Sequence, residues 1–255
     1  MNNNLITSIA ENAGYVAVFL LLIVAMFAAA KVAEVIVAKK TGDKNTGLST
    51  RKVVIIGLFS AISGVLMLFE IPVFFAPSFY KIDLSDLPAV IGAFAFGPMT
   101  GVLIEFIKIL LNLILNGTTT AFVGELANFV VGCSYVLPAS IIYLFKKTRK
   151  NAMISCAVGT LVITIVGSSL NAFYLLPAFA ALYGMPIDAL IGMGTAVNPS
   201  ITNLTSFVLL AVAPLNLLKG AVITVITFAI YKQLSPILKN ATLVTVRKQE
   251  ATQSE

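Results

Sequence analysis

The sequence has no histidine and no tryptophan, and only 11% of its 255 residues are charged. Without histidine, imidazole acid–base catalysis and most zinc-enzyme designs are excluded. The dipeptide Gly-Lys never occurs, so there is no phosphate-cradling P-loop. The serines have no histidine or nearby lysine that would make them nucleophiles. Only two cysteines are present, Cys133 and Cys156, both inside apolar runs. They read as small buried hydrophobes rather than a disulfide framework. An enzyme is not expected.

Apolar residues are what the chain has in excess: 58% of the total, with a mean hydropathy of +0.98. Soluble domains carry about a quarter charged residues, so this balance predicts an all-α polytopic membrane protein. The net charge of +6 does not point to nucleic acid. Of 17 Lys and Arg, 13 fall in three clusters, at 39–52, 146–150 and 232–248, each beside an apolar run. That is the positive-inside pattern of cytoplasmic loops.

A membrane span needs about 20 mostly apolar residues. Seven segments qualify or nearly so: 14–38, 53–72, 84–99, 100–116, 121–145, 152–180 and 204–231. The third and fourth are short and divided only by Gly97-Pro98. The leader "MNNNLITSIAEN" lacks the cationic start of a signal peptide, which predicts a retained first helix with its N-terminus outside. The basic clusters and the C-terminal tail then fall in the cytoplasm. The 70–83 region, the "NGTTT" turn and the 181–203 loop fall outside. Lys31 and Glu34 share a helical face and can pair.

An ionisable group at a helix centre costs about 2.5–3.5 kcal/mol on insertion scales, so each one needs a reason. Glu105, Lys108 and Asn112 form one stripe, as a self-neutralising pair or as ligand contacts. Glu125 and Asn128 share a face in "FVGELANF". Asn171 follows Gly167, Ser168 and Ser169, and either bonds a neighbouring helix or contacts a ligand. Asn216 and Lys219 project together in "APLNLLKG", where Lys219 has no carboxylate in its own helix. It must find one on another helix, line a wet cavity or touch a ligand. Between the second and third segments, "SFYKIDLSDLPAV" carries Lys81, Asp83 and Asp86. There Ser85 or Asp86 can cap a helix that Pro88 begins.

"FYKIDLSDLPAVIGAFAFGPMTGVLIEFIKILLN", "VGELANFVVG" and "APLNLLKG", in that order, resemble the riboflavin-specific S components of energy-coupling factor (ECF) transporters. The resemblance spans roughly residues 51–240. It implies a six-helix bundle that captures riboflavin from outside a bacterial cell. A separate transmembrane coupling protein and two cytoplasmic ATPases would complete the importer. Riboflavin would be cargo rather than cofactor, with FMN as a second candidate ligand. Two departures stand out: an extra N-terminal helix and a long 181–203 loop. The chain then divides into an added helix and basic loop (1–45), a substrate-binding unit (46–240) and a polar tail (241–255).

By motif match the resemblance carries the flavin-reading amide and ammonium to Asn216 and Lys219, and by helix position a second amide to Asn171. Riboflavin's uracil-like edge alternates acceptor, donor and acceptor, which amides and an ammonium can match. Asp83 and Ser85 would meet the ribityl hydroxyls in partly wet surroundings. Tyr80, Phe79, Phe173 or Tyr174 would supply an aromatic contact, and Glu125 and Asn128 complete the candidate set. Gly57 and Ala61 would form the small-residue face that docks the coupling protein, with Ser60 and Gly64 as a second small pair. Intramolecular packing explains those small residues equally well. The alternatives are an S component for another vitamin or precursor, or a stand-alone ion-coupled carrier.

Overall fold

The computed structural model describes residues 13–42, 47, 49–118, 120–231 and 233. The leader, Lys44, the third basic cluster and the 241–255 tail lie outside these residues.

The chain forms eight helices among the described residues. They are α1 Ala13–Thr41, α2 Thr50–Met67, α3 Asp86–Phe96, α4 Pro98–Asn116, α5 Val123–Phe145, α6 Arg149–Leu182, α7 Ile187–Val197 and α8 Leu204–Tyr231. Six of them are long and apolar enough to cross a membrane. The expectation of seven spans needs one correction. Segment 84–99 yields α3, whose 11 residues reach about 16 Å at 1.5 Å per residue, half of a hydrocarbon core. Apolar nearly all round, α3 is almost wholly buried and sits inside the bundle rather than across it. The Gly97-Pro98 turn folds it back onto α4, with Pro98 in α4's first turn.

At three other helices, α2, α6 and α8, a side chain defines the start. Ser49 accepts the Lys52 N–H at 3.2 Å and Thr148 accepts the Asn151 N–H at 3.2 Å. At α8, Asn203 and Ser206 form a reciprocal capping box. α5 and α6 pack along their lengths, while α2 lies on α3 and α4. Cys133 and Cys156 are free and buried, as their apolar settings suggested.

α6 and α8 are not regular throughout. Each contains one π-helical turn, Asn171–Leu175 in α6 and Val208–Val212 in α8. Each turn ends two residues before a proline, Pro177 or Pro214. Proline has no N–H and its ring clashes with the carbonyl four residues back, so the ladder shifts to wider i→i+5 bonds. The Leu176 N–H accordingly reaches the Asn171 carbonyl and the Ala213 N–H reaches Val208. The two widened turns touch each other, next to the asparagines singled out in the sequence.

α1 packs on α4 and α5, with Phe27 edge-on to Phe106. Glu34 pairs with Lys31 at 3.7 Å, as the spacing suggested, and also with buried Lys52 of α2 at 3.4 Å. The two small-residue pairs of α2 separate. Gly57 and Ala61 are exposed and a Cβ on Gly57 would meet nothing, whereas Ser60 and Gly64 are buried, Gly64 against Leu111.

Between α2 and α3, a two-stranded hairpin pairs β1 (Ile71–Pro72) with β2 (Lys81–Ile82), aligning Ile71 with Ile82 and Pro72 with Lys81. The middle of the 181–203 loop is α7. Val73 and Ala76 of the hairpin share one apolar cluster with Leu190 of α7, Leu176 of α6 and Phe207 of α8. Hairpin and α7 thus cover the same end of the bundle.

Candidate functional site

Beneath that cover, one glycine brings two amides together. A Cβ on Gly167 of α6 would stand 2.8 Å from both polar atoms of the Asn216 side chain, so the Asn216 amide lies directly on the glycine. One turn on, Asn171 Nδ2 donates to the Gly167 carbonyl at 2.9 Å. Asn216 Nδ2 donates to the Val212 carbonyl at 3.0 Å, at the end of α8's π turn. Asn171 Oδ1 accepts the Tyr80 hydroxyl at 2.7 Å, which fastens the hairpin to α6. The Tyr80 ring lies against Phe79 and Phe207. Burial pushes its hydroxyl well above the ordinary phenol range, so it stays a donor.

The partner Lys219 required is on α3 and the loop before it. Lys219 Nζ lies 3.0 Å from Asp86 Oδ2 and 3.7 Å from Asp83 Oδ2. Asp86 Oδ1 holds Lys108 Nζ at 2.7 Å, and Lys108 also pairs with Glu105. Asp86 is thus a bridge between two ammonium groups, and three carboxylates face two cations. Asp86, Glu105 and Lys108 have no exposed surface.

These contacts revise three expectations. Asp86 does not serve mainly as a helix cap. Ser85 stands at the cap position in helical geometry with no side-chain capping bond. Its N–H instead donates to Asp83 Oδ1 at 2.7 Å. The partly wet surroundings expected for Asp83 and Ser85 are dry, at 9% and 0% exposed.

Tyr80, Asn171 and Asn216 therefore form one polar group and Asp83, Ser85 and Lys219 another, and α8 carries both Asn216 and Lys219, three positions apart. Other candidates are bound elsewhere. Glu125 accepts the Thr118 and Thr120 hydroxyls at 3.2 and 3.0 Å, where Ala121 and Phe122 take positive φ and turn the chain into α5. Asn128 donates back to its own helix at Gly124. Lys81 pairs with Glu70 at 2.7 Å. Phe173 is 85% exposed and faces away from the site.

Residues 51–231 match the family described as ECF transporter, substrate-specific component. The chain belongs to this family of S components. It is 35% identical to the riboflavin transporter FmnP of Bacillus subtilis over 74% of its own length and 94% of that protein's. To the riboflavin transporter RibU of Staphylococcus aureus it is 34% identical, covering 74% and 93%. The solved S component of a bacterial ECF transporter superposes with a TM-score of 0.58 at 32% identity, covering 74% of this chain and 98% of that one.

In this S component, sequence reasoning found the amides and Lys219 but separated Asp86, Lys108 and Glu105 from them. The i,i+3 spacing of Glu105 and Lys108 was visible. The tie from Asp86 to Lys108 spans 22 positions and to Lys219 far more, and no local period carries it. The available signal was electrical: an intramembrane lysine without a carboxylate in its helix, and acids on a neighbouring one.

Proposed function

We propose that this S component captures riboflavin through Asn171, Asn216 and Lys219. What supports the reading is the meeting of two amides at Gly167, with the Lys219 ammonium three positions from Asn216 on α8, in a chain similar to proteins named riboflavin transporters. The amides offer donors and acceptors and the ammonium only donors, which suits the alternating edge of an isoalloxazine ring. Reading that edge requires Tyr80 to give up its bond to Asn171, so the hairpin stands between open and occupied forms of the site. In this reading the Asp83 carboxylate, with Ser85 bonded beside it, accepts from ribityl hydroxyls. With three carboxylates against two cations, the neutral vitamin suits the assembly better than FMN, whose phosphate adds charge of the same sign. Glu125 and Asn128 form a further polar group that a ligand can meet on the way in.

The division into an added helix and loop (1–45), a substrate-binding unit (46–240) and a tail (241–255) belongs to the same proposal. So does its setting: a bacterial cell membrane, the N-terminus outside, the basic ends and C-terminus in the cytoplasm. There a coupling protein docks on the open Gly57 and Ala61 face of α2, and two ATPases supply the energy this chain cannot. Such small residues let helices approach closely, which is what drives helix association in lipid.

The test is titration of riboflavin, FMN and a panel of other vitamins into the purified protein, followed by flavin fluorescence. Quenching by riboflavin, weaker quenching by FMN and loss of both in Asn216→Ala are expected. Binding of a different vitamin with no flavin response overturns the proposal.

A further inference from the structure

The hairpin that carries Tyr80 also carries a patch that the site does not use. Phe69, Ile71 and Phe74 are 69%, 64% and 92% exposed. Their exposure is built into the hairpin. Val73 and Ala76 on either side turn inward among Leu176, Ile201 and Phe207, and the Phe75 ring braces Phe74 edge-on at 5.3 Å. Glu70 and Lys81 beside the patch neutralise each other. Three large exposed apolar residues within six positions mark a surface that something covers.

The length of α2 says what does so. Its apolar part, 53–67, is about 22 Å long at 1.5 Å per residue. A bilayer's hydrocarbon core is about 30 Å thick. The exposed stripe of Val54, Leu58, Ile62 and Val65 therefore stops roughly 8 Å short of the far boundary of that core. Leu68, Phe69, Ile71 and Phe74, all exposed, follow in the chain directly beyond the helix end. Interfacial elements sink about 5–10 Å into the headgroup and acyl boundary, which matches the shortfall.

We propose that the tip of this hairpin is seated in the lipid surface, in the leaflet opposite the basic clusters, with Phe74 reaching the acyl boundary and completing the short span of α2. The hairpin that bonds Asn171 through Tyr80 is then held from two sides, by the bundle and by the bilayer.

The chain's lack of tryptophan makes the test direct, because Phe74→Trp creates a single reporter. The full-length variant is reconstituted into phosphatidylcholine vesicles with or without brominated acyl chains. The expected result is blue-shifted emission, loss of most intensity in brominated vesicles and little response to iodide. Phe69→Trp, next to the end of α2, reports separately on the helix itself. Lipid quenching of both variants supports the proposal. Water-like emission from Phe74→Trp, quenched by iodide and not by brominated lipid, overturns it whatever Phe69→Trp shows. That outcome would leave the patch to a soluble partner.

Discussion

Around Asn216 and Lys219, α8 meets α6 and α3 through an amide and ions; from Thr224 to Tyr231 it meets α5 and α6 through hydroxyls. Thr224 lies 3.2 Å from both the Tyr135 and Thr160 hydroxyls and donates back to the Gly220 carbonyl at 2.7 Å. Near the basic end, the Tyr143 and Tyr231 hydroxyls meet at 3.1 Å, with Phe94 stacked on Tyr143. Both regions are buried and both join helices far apart in sequence. They differ in what failure costs. A threonine that loses its partner can still bond its own helix carbonyl, so such interhelical bonds are worth only about 0.6 kcal/mol on average. A buried ion has no such refuge. Removing one member of a buried pair costs about 3–5 kcal/mol, because the partner stays charged and dry. Neutral hydroxyls suffice to pin helices together, so the charges in the other region need a further purpose, and the proposed ligand recognition would supply one.

The sharpest way to break this comparison is Lys108→Met. It leaves Asp86 and Glu105 with one cation fewer and is expected to lower stability by about 3–5 kcal/mol. Thermal unfolding in detergent measures it, and an unchanged unfolding temperature would mean that the charged group is not tightly coupled. Lys219→Met tests purpose. Under the proposed function it removes a charged hydrogen bond of about 1.5–3 kcal/mol, so riboflavin affinity should fall roughly ten- to hundredfold. A fluorescence titration that still gives wild-type affinity would detach Lys219 from the ligand.

Gly167→Ala comes next. Its Cβ would crowd the Asn216 amide, costing about 1–3 kcal/mol as overpacking and weakening riboflavin binding by moving that amide. If folding and binding are both intact, the close approach is not required. The smallest effect is expected from Thr224→Val in the hydroxyl region: less than about 1 kcal/mol in unfolding and no change in flavin titration. Should Thr224→Val cost as much as Lys108→Met, the two regions are not different in kind.

Much of the fold was legible residue by residue. Segments 121–145, 152–180 and 204–231 return as α5, α6 and α8 within a few positions, because a bilayer imposes a length and an apolar composition that one sequence displays. The short α3 escaped because apolar character signals burial, whether against lipid or inside a bundle. α7 escaped because a helix of 11 residues in a connecting segment has no such length to betray it. Phe173 looked like a stacking partner by its neighbours, yet the widened turn at Asn171–Leu175 leaves it facing outward.

By itself, then, the sequence determined that this is a membrane bundle without a P-loop, and that Lys219 must find a carboxylate elsewhere, a wet cavity or a ligand. Composition and local spacing carry that much, since the cost of a lone ion in lipid does not depend on the fold. Which carboxylate answers was decided by tertiary structure alone. Asp86 reaches both Lys219 and Lys108 because α3, too short to span, is turned back at Gly97-Pro98 and held inside the bundle between α4 and α8. The same packing lays the Asn216 amide on Gly167 and brings Asn171 to Tyr80. Electrostatic pairing acts through space over a few ångströms, and only the fold converts separations of 22 to more than 130 positions into such distances.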